Sequence, residues 1–244
     1  MMNNLKLFQR HLSLTGCLNL RELGGYETTE GKQLKWGTLL RSDSLHRLPI
    51  SSQQQFIDYG VKTIVDLRSS FEVAQEEYAF SKRTEINYFN IALVEENHRN
   101  IIESIKDKSL FEINQFLLEE RSLAIKTILE TIATQETPVV IHCAIGKDRT
   151  GLIIALLLAI AEVPRETIAQ DYHLSDRYLE TLYAQMRPEA IRGGYIYLLE
   201  SPPQTIIDTF DYLDRHYKGI NNYLENIGID STIQNRLKGM LTTQ

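Results

Sequence analysis

Val139-Val140-Ile141-His142-Cys143-Ala144-Ile145-Gly146-Lys147-Asp148-Arg149-Thr150-Gly151 runs from a β-branched apolar segment into a cysteine. Five residues follow, then an arginine, and then a long apolar helical pattern. Read physically, this is a strand, a tight loop and a helix start. Successive backbone N–H groups in such a loop form a concave anion site, and the helix N-terminus adds partial positive charge. The amides of Ala144, Ile145, Gly146, Lys147, Asp148 and Arg149 would line it. Arg149 can close it with a planar guanidinium suited to phosphate oxygens. Cys143 lies at the bottom, within reach of a bound phosphorus, and the same geometry favours the thiolate, the nucleophilic form of the side chain. Thr150 could donate a hydroxyl hydrogen bond to the sulfur, and His142 could fix the loop through a backbone hydrogen bond.

This segment resembles the signature loop of cysteine-dependent phosphatases, His-Cys-(five residues)-Arg-Thr/Ser-Gly. Its Gly146-Lys147-Asp148-Arg149-Thr150-Gly151 ending is similar to the bacterial and fungal tyrosine-phosphatase family, which includes dual- and triple-specificity and phosphoinositide-active members. The bland alternative is a buried cysteine before a core helix. A nucleotide-binding P-loop is excluded by spacing: no glycine stands five positions before Gly146, and Asp148 follows Lys147 where Ser or Thr is required.

Composition sets outer bounds. The 244 residues, 43% hydrophobic and 24% charged, suit a soluble globular chain with a sizeable core. A formal charge of −6 argues against a global basic face for nucleic acid or a membrane surface, so any anion site must be local. Cys17 and Cys143 are too few for a disulfide framework, which suggests a reducing compartment. The first 16 residues lack an apolar core of signal-peptide length, and Leu152 to Ala161 is about half of the ~20 residues needed to span a bilayer. A cytoplasmic location and no integral membrane segment are therefore expected.

Along the chain, residues 1–16 read as a frayed, polar lead-in. Asn19-Leu20-Arg21-Glu22-Leu23-Gly24-Gly25 resembles the Asn-x-Arg-Asp-Leu-Gly-Gly stretch of the same family, with Glu22 in place of Asp. Arg21 is either half of a buried ion pair or a substrate contact. Thr28 to Lys32 reads as a turn, Leu34 to Leu40 as a strand, and Arg41-Ser42-Asp43 resembles the family's Arg-Ser strand end. A helix from Ser51 stops at Gly60, with a serine cap and a glycine stop. Val61 to Arg68 is a β-branched strand whose Asp66-Leu67-Arg68 end matches a family motif. Because strand C-termini line the crevice of an α/β sheet, Asp66 and Arg68 either position the loop or substrate, or form an ion pair with Glu72 or each other. Phe71 to Tyr78 reads as a short helix and Glu85 to Ala92 as a strand. By resemblance, 94–122 is a helical lid or substrate-selecting insertion; otherwise it is a surface helical pair. Helices are expected at Leu123–Thr134, Arg149–Glu162, Pro164–His173, Ser175–Met186, Pro203–Tyr217 and Asp230–Leu241. Tyr217 to Gly228 resembles a C-terminal family stretch and reads as packing.

The fold implied is α/β and protein-tyrosine-phosphatase-like: a central, mostly parallel sheet flanked by helices, a helical insertion near the active site and a helical C-terminal part, all in a single domain over 1–244. The chemistry implied is metal-independent phosphomonoester hydrolysis through a phosphocysteine. No cofactor is needed, and the expected substrate is a phosphorylated protein or a phosphoinositide. A phosphate monoester also needs an acid for its leaving group. The chain has no Trp-Pro-Asp; its one tryptophan, Trp36, precedes glycine. Asp148 is the first choice, by resemblance to lipid phosphatases with Asp before the signature arginine, and Asp66 is the second. Lys147 is a flanking charge or a contact to a second phosphate. Two other readings stay open: a phosphate-binding module, and a rhodanese-type sulfurtransferase, against which Arg149-Thr150-Gly151 speaks. Cys17 is a small core residue or a redox partner of Cys143.

Overall fold

A computed structural model describes residues 8–76, 78–80, 83–96, 105 and 107–243 of the chain. Within them the sheet is built from β1 (Arg21–Glu22), β2 (Leu39–Ser42), β3 (Thr63–Asp66), β4 (Asn87–Asn90) and β5 (Val139–His142). Their spatial order is β1-β2-β5-β3-β4. Only β1 is antiparallel to its neighbour. The signature strand β5 is thus central, buried at every position, with Ser42 and Asp66 both in register with His142.

Alternation along these strands divides the interior. Val139 and Ile141 of β5, Val65 of β3 and Leu39 of β2 face the larger core. Val140, Ile64 and Leu40 face a smaller one. That is the period of two expected of side chains on opposite faces of a pleated strand.

The helices are α1 (Ile50–Tyr59), α2 (Ser70–Gln75), α3 (Leu110–Glu120), α4 (Ser122–Thr134), α5 (Asp148–Ile160), α6 (Arg165–Gly193), α7 (Gln204–Tyr217), α8 (Ile220–Asn226) and α9 (Ser231–Leu241), with a 3-10 turn at Ile196–Leu199. Helix α5 is apolar nearly all round and buries ten residues, Thr150 to Leu158 and Ile160. The C-terminal half is helical, as the sequence suggests. Of the proposed insertion at 94–122, positions 97–104 and 106 lie outside the described residues. The described part contains α3, which starts on a Ser109–Glu112 capping box. No helix among the described residues is long and apolar enough to cross a membrane.

Several boundaries differ from the sequence reading. The lead-in is not loose beyond Phe8: Leu12 and Leu14 are buried in the smaller core, and His11 bridges to Arg21. The strand expected over Leu34–Leu40 begins at Leu39; Leu34 instead bridges to Thr242 near the C-terminus. Helix α1 begins on Pro49 without a side-chain cap, although Gly60 ends it as expected. The two helices expected at Pro164–His173 and Ser175–Met186 are one, α6, which runs through Pro188. Ser175, the expected start of the second, is buried inside the helix, and its hydroxyl accepts from Arg21 Nη2 at 3.2 Å.

Candidate active site

The loop after β5 is held from outside by its carbonyls. Ser44 N–H donates to Ala144 O at 3.1 Å. Asn19 Nδ2 donates to Ile145 O at 3.0 Å and to Gly146 O at 3.1 Å. Arg41 Nη2 donates to Gly146 O at 2.8 Å and to Lys147 O at 3.2 Å. In a planar trans peptide the N–H points opposite to the C=O. Turning four carbonyls towards the scaffold therefore turns the amides of Ile145, Gly146, Lys147 and Asp148 away from it. Gly146 makes the turn with φ +68°, and a Cβ there would lie 2.1 Å from Ser42 O.

Cys143, Ala144, Ile145, Asp148 and Arg149 line a cavity of about 200 Å³. Its other walls are mostly apolar, including Ile113, Phe116 and Leu117 of α3, Met186 of α6, and Leu198 and Leu199. Cys143 is almost fully buried at its base. Arg149 is set by Glu72: Nη1 donates to Oε2 at 2.6 Å and Nη2 to Oε1 at 2.8 Å. This is the bidentate pairing that a planar guanidinium favours. Burial works against the charge on Arg149, but Glu72 and the nearby Cys143 outweigh it and raise its pKa. Glu72 is itself buried, yet Arg149 holds its pKa below the ordinary carboxylate value. Glu72 also closes the capping box of α2, accepting from Ser69 N at 2.8 Å.

Asp148 stands at the first position of α5, on the cavity wall. Its Oδ1 accepts from Tyr172 OH at 2.9 Å and lies 3.3 Å from Lys147 Nζ. Burial, then the charge of Asp148, raises the Tyr172 pKa and keeps the phenol protonated as that donor. The Lys147 ammonium is buried and donates to Leu198 O at 2.6 Å and Glu200 O at 2.7 Å.

Asp66 and Arg68 lie under the loop, buried, and do not line the cavity. They pair with each other, Arg68 Nη2 to Asp66 Oδ2 at 2.7 Å, and Arg68 also reaches Glu76 at 3.1 Å. Tyr88 OH donates to Asp66 at 2.8 Å. Burial alone would raise the Asp66 pKa, but His142 and Arg68 reverse that and lower it. His142 Nδ1 lies 3.3 Å from Cys143 O, and Nε2 lies 3.6 Å from Asp66. Burial lowers the His142 pKa against the opposing pull of the Asp66 charge. Thr150 Oγ1 is buried with no hydrogen-bond partner among the described residues.

Arg21 proves to be the buried ion pair, with Nε donating to Asp171 Oδ1 at 3.0 Å. Cys17 lies in a second, more polar groove on the far side of Ala144 and Ile145. There its sulfur is 2.8 Å from both Ser42 Oγ and Asp43 Oδ1. Burial, then the Asp43 charge, pushes the Cys17 thiol up and keeps it protonated. Among the described residues no group of three or more His, Cys, Asp or Glu is placed to hold a metal ion.

Sequence reading missed Glu72 as the partner of Arg149, and Asp171 and Tyr172 altogether. A Ser69-x-x-Glu72 capping box was there to be read, and it would have put Glu72 at a helix start just past a strand end. Asp171 and Tyr172 carry no local signal.

Residues 12–243 match the family model described as the tyrosine phosphatase family. A tyrosine-protein phosphatase from Nostoc commune is 33% identical over 145 residues, which spans 58% of this chain and about half, 49%, of that protein. The triple specificity protein phosphatase PtpB of Mycobacterium tuberculosis is 25% identical over 93% of this chain and 98% of its own length. Among solved structures, the core catalytic domain of the PP-IP phosphatase SIW14 from S. cerevisiae covers 75% of this chain and 98% of its own, at 18% identity and TM-score 0.41.

Proposed function

The chain belongs to the tyrosine phosphatase family, and we propose that its preferred substrates are phosphotyrosyl side chains, hydrolysed through a phosphocysteine on Cys143. The cavity above the thiol carries this reading. Its walls are mostly apolar, which suits a flat aromatic ring better than a polyanionic headgroup. Among the described residues its cations are Arg149 and Lys108, while the Lys147 ammonium is engaged by two carbonyls.

In the first step the Cys143 thiolate attacks phosphorus in line and the bond to the tyrosyl oxygen breaks. That oxygen takes a proton from Asp148. The amides of Ile145 to Asp148 and the Arg149 guanidinium hold the equatorial oxygens as their charge develops. Water then attacks the phosphocysteine, Asp148 takes its proton, and inorganic phosphate and the thiolate are released. Tyr172 and Lys147 both engage Oδ1 of Asp148, which leaves Oδ2 to carry the transferred proton. Asp66 is a weaker choice for the acid, because it is buried behind His142 and paired with Arg68. Asp66 and Arg68 act instead as supports beneath the loop.

The test compares hydrolysis of 4-nitrophenyl phosphate, a phosphotyrosyl peptide, the matching phosphoseryl and phosphothreonyl peptides, and phosphoinositide vesicles, with EDTA present. Wild type turns over the aryl phosphate and Cys143→Ser does not. The phosphotyrosyl peptide has the highest kcat/KM. Full activity in Cys143→Ser overturns the mechanism. A kcat/KM for phosphoinositide or phosphoserine above that for phosphotyrosine overturns the substrate assignment and extends to this chain the breadth named for the Mycobacterium relative.

A further inference from the structure

One carboxylate, Asp171 of α6, sits behind the phosphate loop and is bonded on all sides. Oδ1 accepts from Arg21 Nε at 3.0 Å and from Tyr26 OH at 3.1 Å. Oδ2 accepts from Arg41 Nη1 at 2.7 Å. Its own carbonyl accepts from Arg21 Nη2 at 2.8 Å. Both guanidiniums and the carboxylate are buried.

Each arginine passes this hold on to the loop. Arg41 uses its remaining Nη2 on the carbonyls of Gly146 and Lys147. Arg21 Nη1 donates to Asn19 Oδ1, which fixes the amide flip so that Asn19 Nδ2 points at the carbonyls of Ile145 and Gly146. Three successive carbonyls of the loop thus trace back to one side chain on a different element. Their opposite faces are the amides that would bind phosphate. A buried group held by several directional donors, two of them charged, acts on orientation more than on net stability.

We propose that Asp171 is a positioning residue of the phosphatase: through Arg41, and through Arg21 and Asn19, it fixes the direction of the loop amides that hold the phosphoryl group. It touches neither substrate nor thiol. This role rests on the phosphatase reading of the Cys143 loop.

Charge and position make opposite forecasts, which gives the test its power. Asp171→Asn removes a negative charge from behind an anion site, and Coulomb's law alone then tightens anion binding. Loss of positioning weakens it, because amides displaced by about 1 Å lose up to about a hundredfold in transition-state recognition. The measurement is the inhibition constant of inorganic phosphate against 4-nitrophenyl phosphate hydrolysis, with a melting curve for each protein. Asp171→Asn is expected to raise that constant by about tenfold or more. Arg41→Lys keeps the charge but loses the planar fork, and it is expected to do the same. An unchanged or lower constant in a folded Asp171→Asn protein overturns the proposal. Should that variant not fold, Arg41→Lys is judged by the same criterion, and Asn19→Ala is used if neither folds. A wild type that does not hydrolyse 4-nitrophenyl phosphate overturns the phosphatase reading itself. An inhibited wild type with an unaffected variant overturns only the role of Asp171.

Discussion

Replacing Gly146 by alanine tests the loop geometry most directly. The residue has φ +68°, and the added Cβ would lie 2.1 Å from Ser42 O, 2.4 Å from Ser42 C and 2.6 Å from Asp43 N. All three are backbone atoms at the end of β2, which cannot swing aside as a side chain would. Adopting the left-handed conformation costs about 1–2 kcal/mol for a residue with a Cβ. Relieving the overlap requires a shift of about 1 Å and adds about 1–3 kcal/mol of overpacking. The loop cannot slide away freely, because Arg41 and Asn19 hold Gly146 O at 2.8 and 3.1 Å. The expected outcome is a loss of stability of about 2–5 kcal/mol, read as a fall in Tm of roughly 5–15 °C. The same shift displaces the amides, so kcat/KM for 4-nitrophenyl phosphate should fall by about a hundredfold. Gly31→Ala is the control. Gly31 has φ +77° but nothing within 4 Å of its added Cβ, so it carries the conformational penalty without the collision. It should lose a few degrees of Tm and no activity. A Gly146→Ala enzyme within threefold of wild-type kcat/KM would refute the claim that β2 sets the shape of the loop.

Three further outcomes are expected. Glu72→Gln leaves Arg149 with a neutral partner while keeping an oxygen that can close the α2 capping box, so steady-state kinetics should show KM for aryl phosphates raised by about tenfold with little change in Tm; an unchanged KM removes Glu72 from the orientation of Arg149. Asp148→Asn should lose kcat/KM mainly on phenyl phosphates with poor leaving groups, and Tyr172→Phe should shift in the same direction by less. A flat loss across leaving groups for Asp148→Asn, with a graded one for Asp66→Asn, would move the acid to Asp66. Asp171 is held at about 2 against a burial penalty, chiefly by Arg21 and Arg41, from an ordinary value of 3.8. A depressed carboxylate contributes stability that is complete above its unfolded pKa and is lost as pH falls through the folded one. Chemical denaturation should therefore show wild type losing about 2 kcal/mol from this group between about pH 4 and 2. Asp171→Asn should show a shallower acid limb, and an identical limb would contradict the buried pairing.

What could be read in the chain depended on how near in sequence the interacting groups lie. The strand, loop and helix around Cys143 are contiguous, and their physics is local: alternation in Val139 to Ile141, a glycine at the turn and an apolar helix behind it. Strand β3 and its Asp66–Arg68 pair were legible for the same reason, since residues two apart at a strand end can meet. The groups that aim the loop were harder to see, because they come from three separate elements. Arg41 and Asn19 stand out only as motif residues, with no sign of what they hold. Asp171 lies beyond the whole of α5, in the second turn of α6, and no spacing rule links it to Cys143. The break expected between Pro164–His173 and Ser175–Met186 is absent: the Ser175 hydroxyl serves Arg21 from inside one continuous helix. Lys147 looked free to meet substrate because its carbonyl partners, Leu198 and Glu200, belong to an irregular segment some fifty residues on.

The arginines around this loop do two jobs, and the peptide plane decides which. Arg149 lies on the N–H side, in the cavity with Cys143, and its charge is balanced by Glu72. Arg21 and Arg41 lie on the carbonyl side and share Asp171. Burying three such ions is a poor route to stability, since apolar residues of similar volume often serve as well or better. What apolar residues cannot do is specify direction. A carbonyl bound to a rigid guanidinium fork has one orientation, and the trans peptide carries that orientation to the amide behind it. The cluster also leaves two guanidiniums facing one carboxylate, so a net positive charge lies beneath the anion site. Burial and the neighbouring Arg21 lower the pKa of Arg41 to about 10, which still leaves it charged at neutral pH. The same buried groups that aim the amides therefore also place positive charge behind the anion site, which a neutral donor to the same carbonyls would not do.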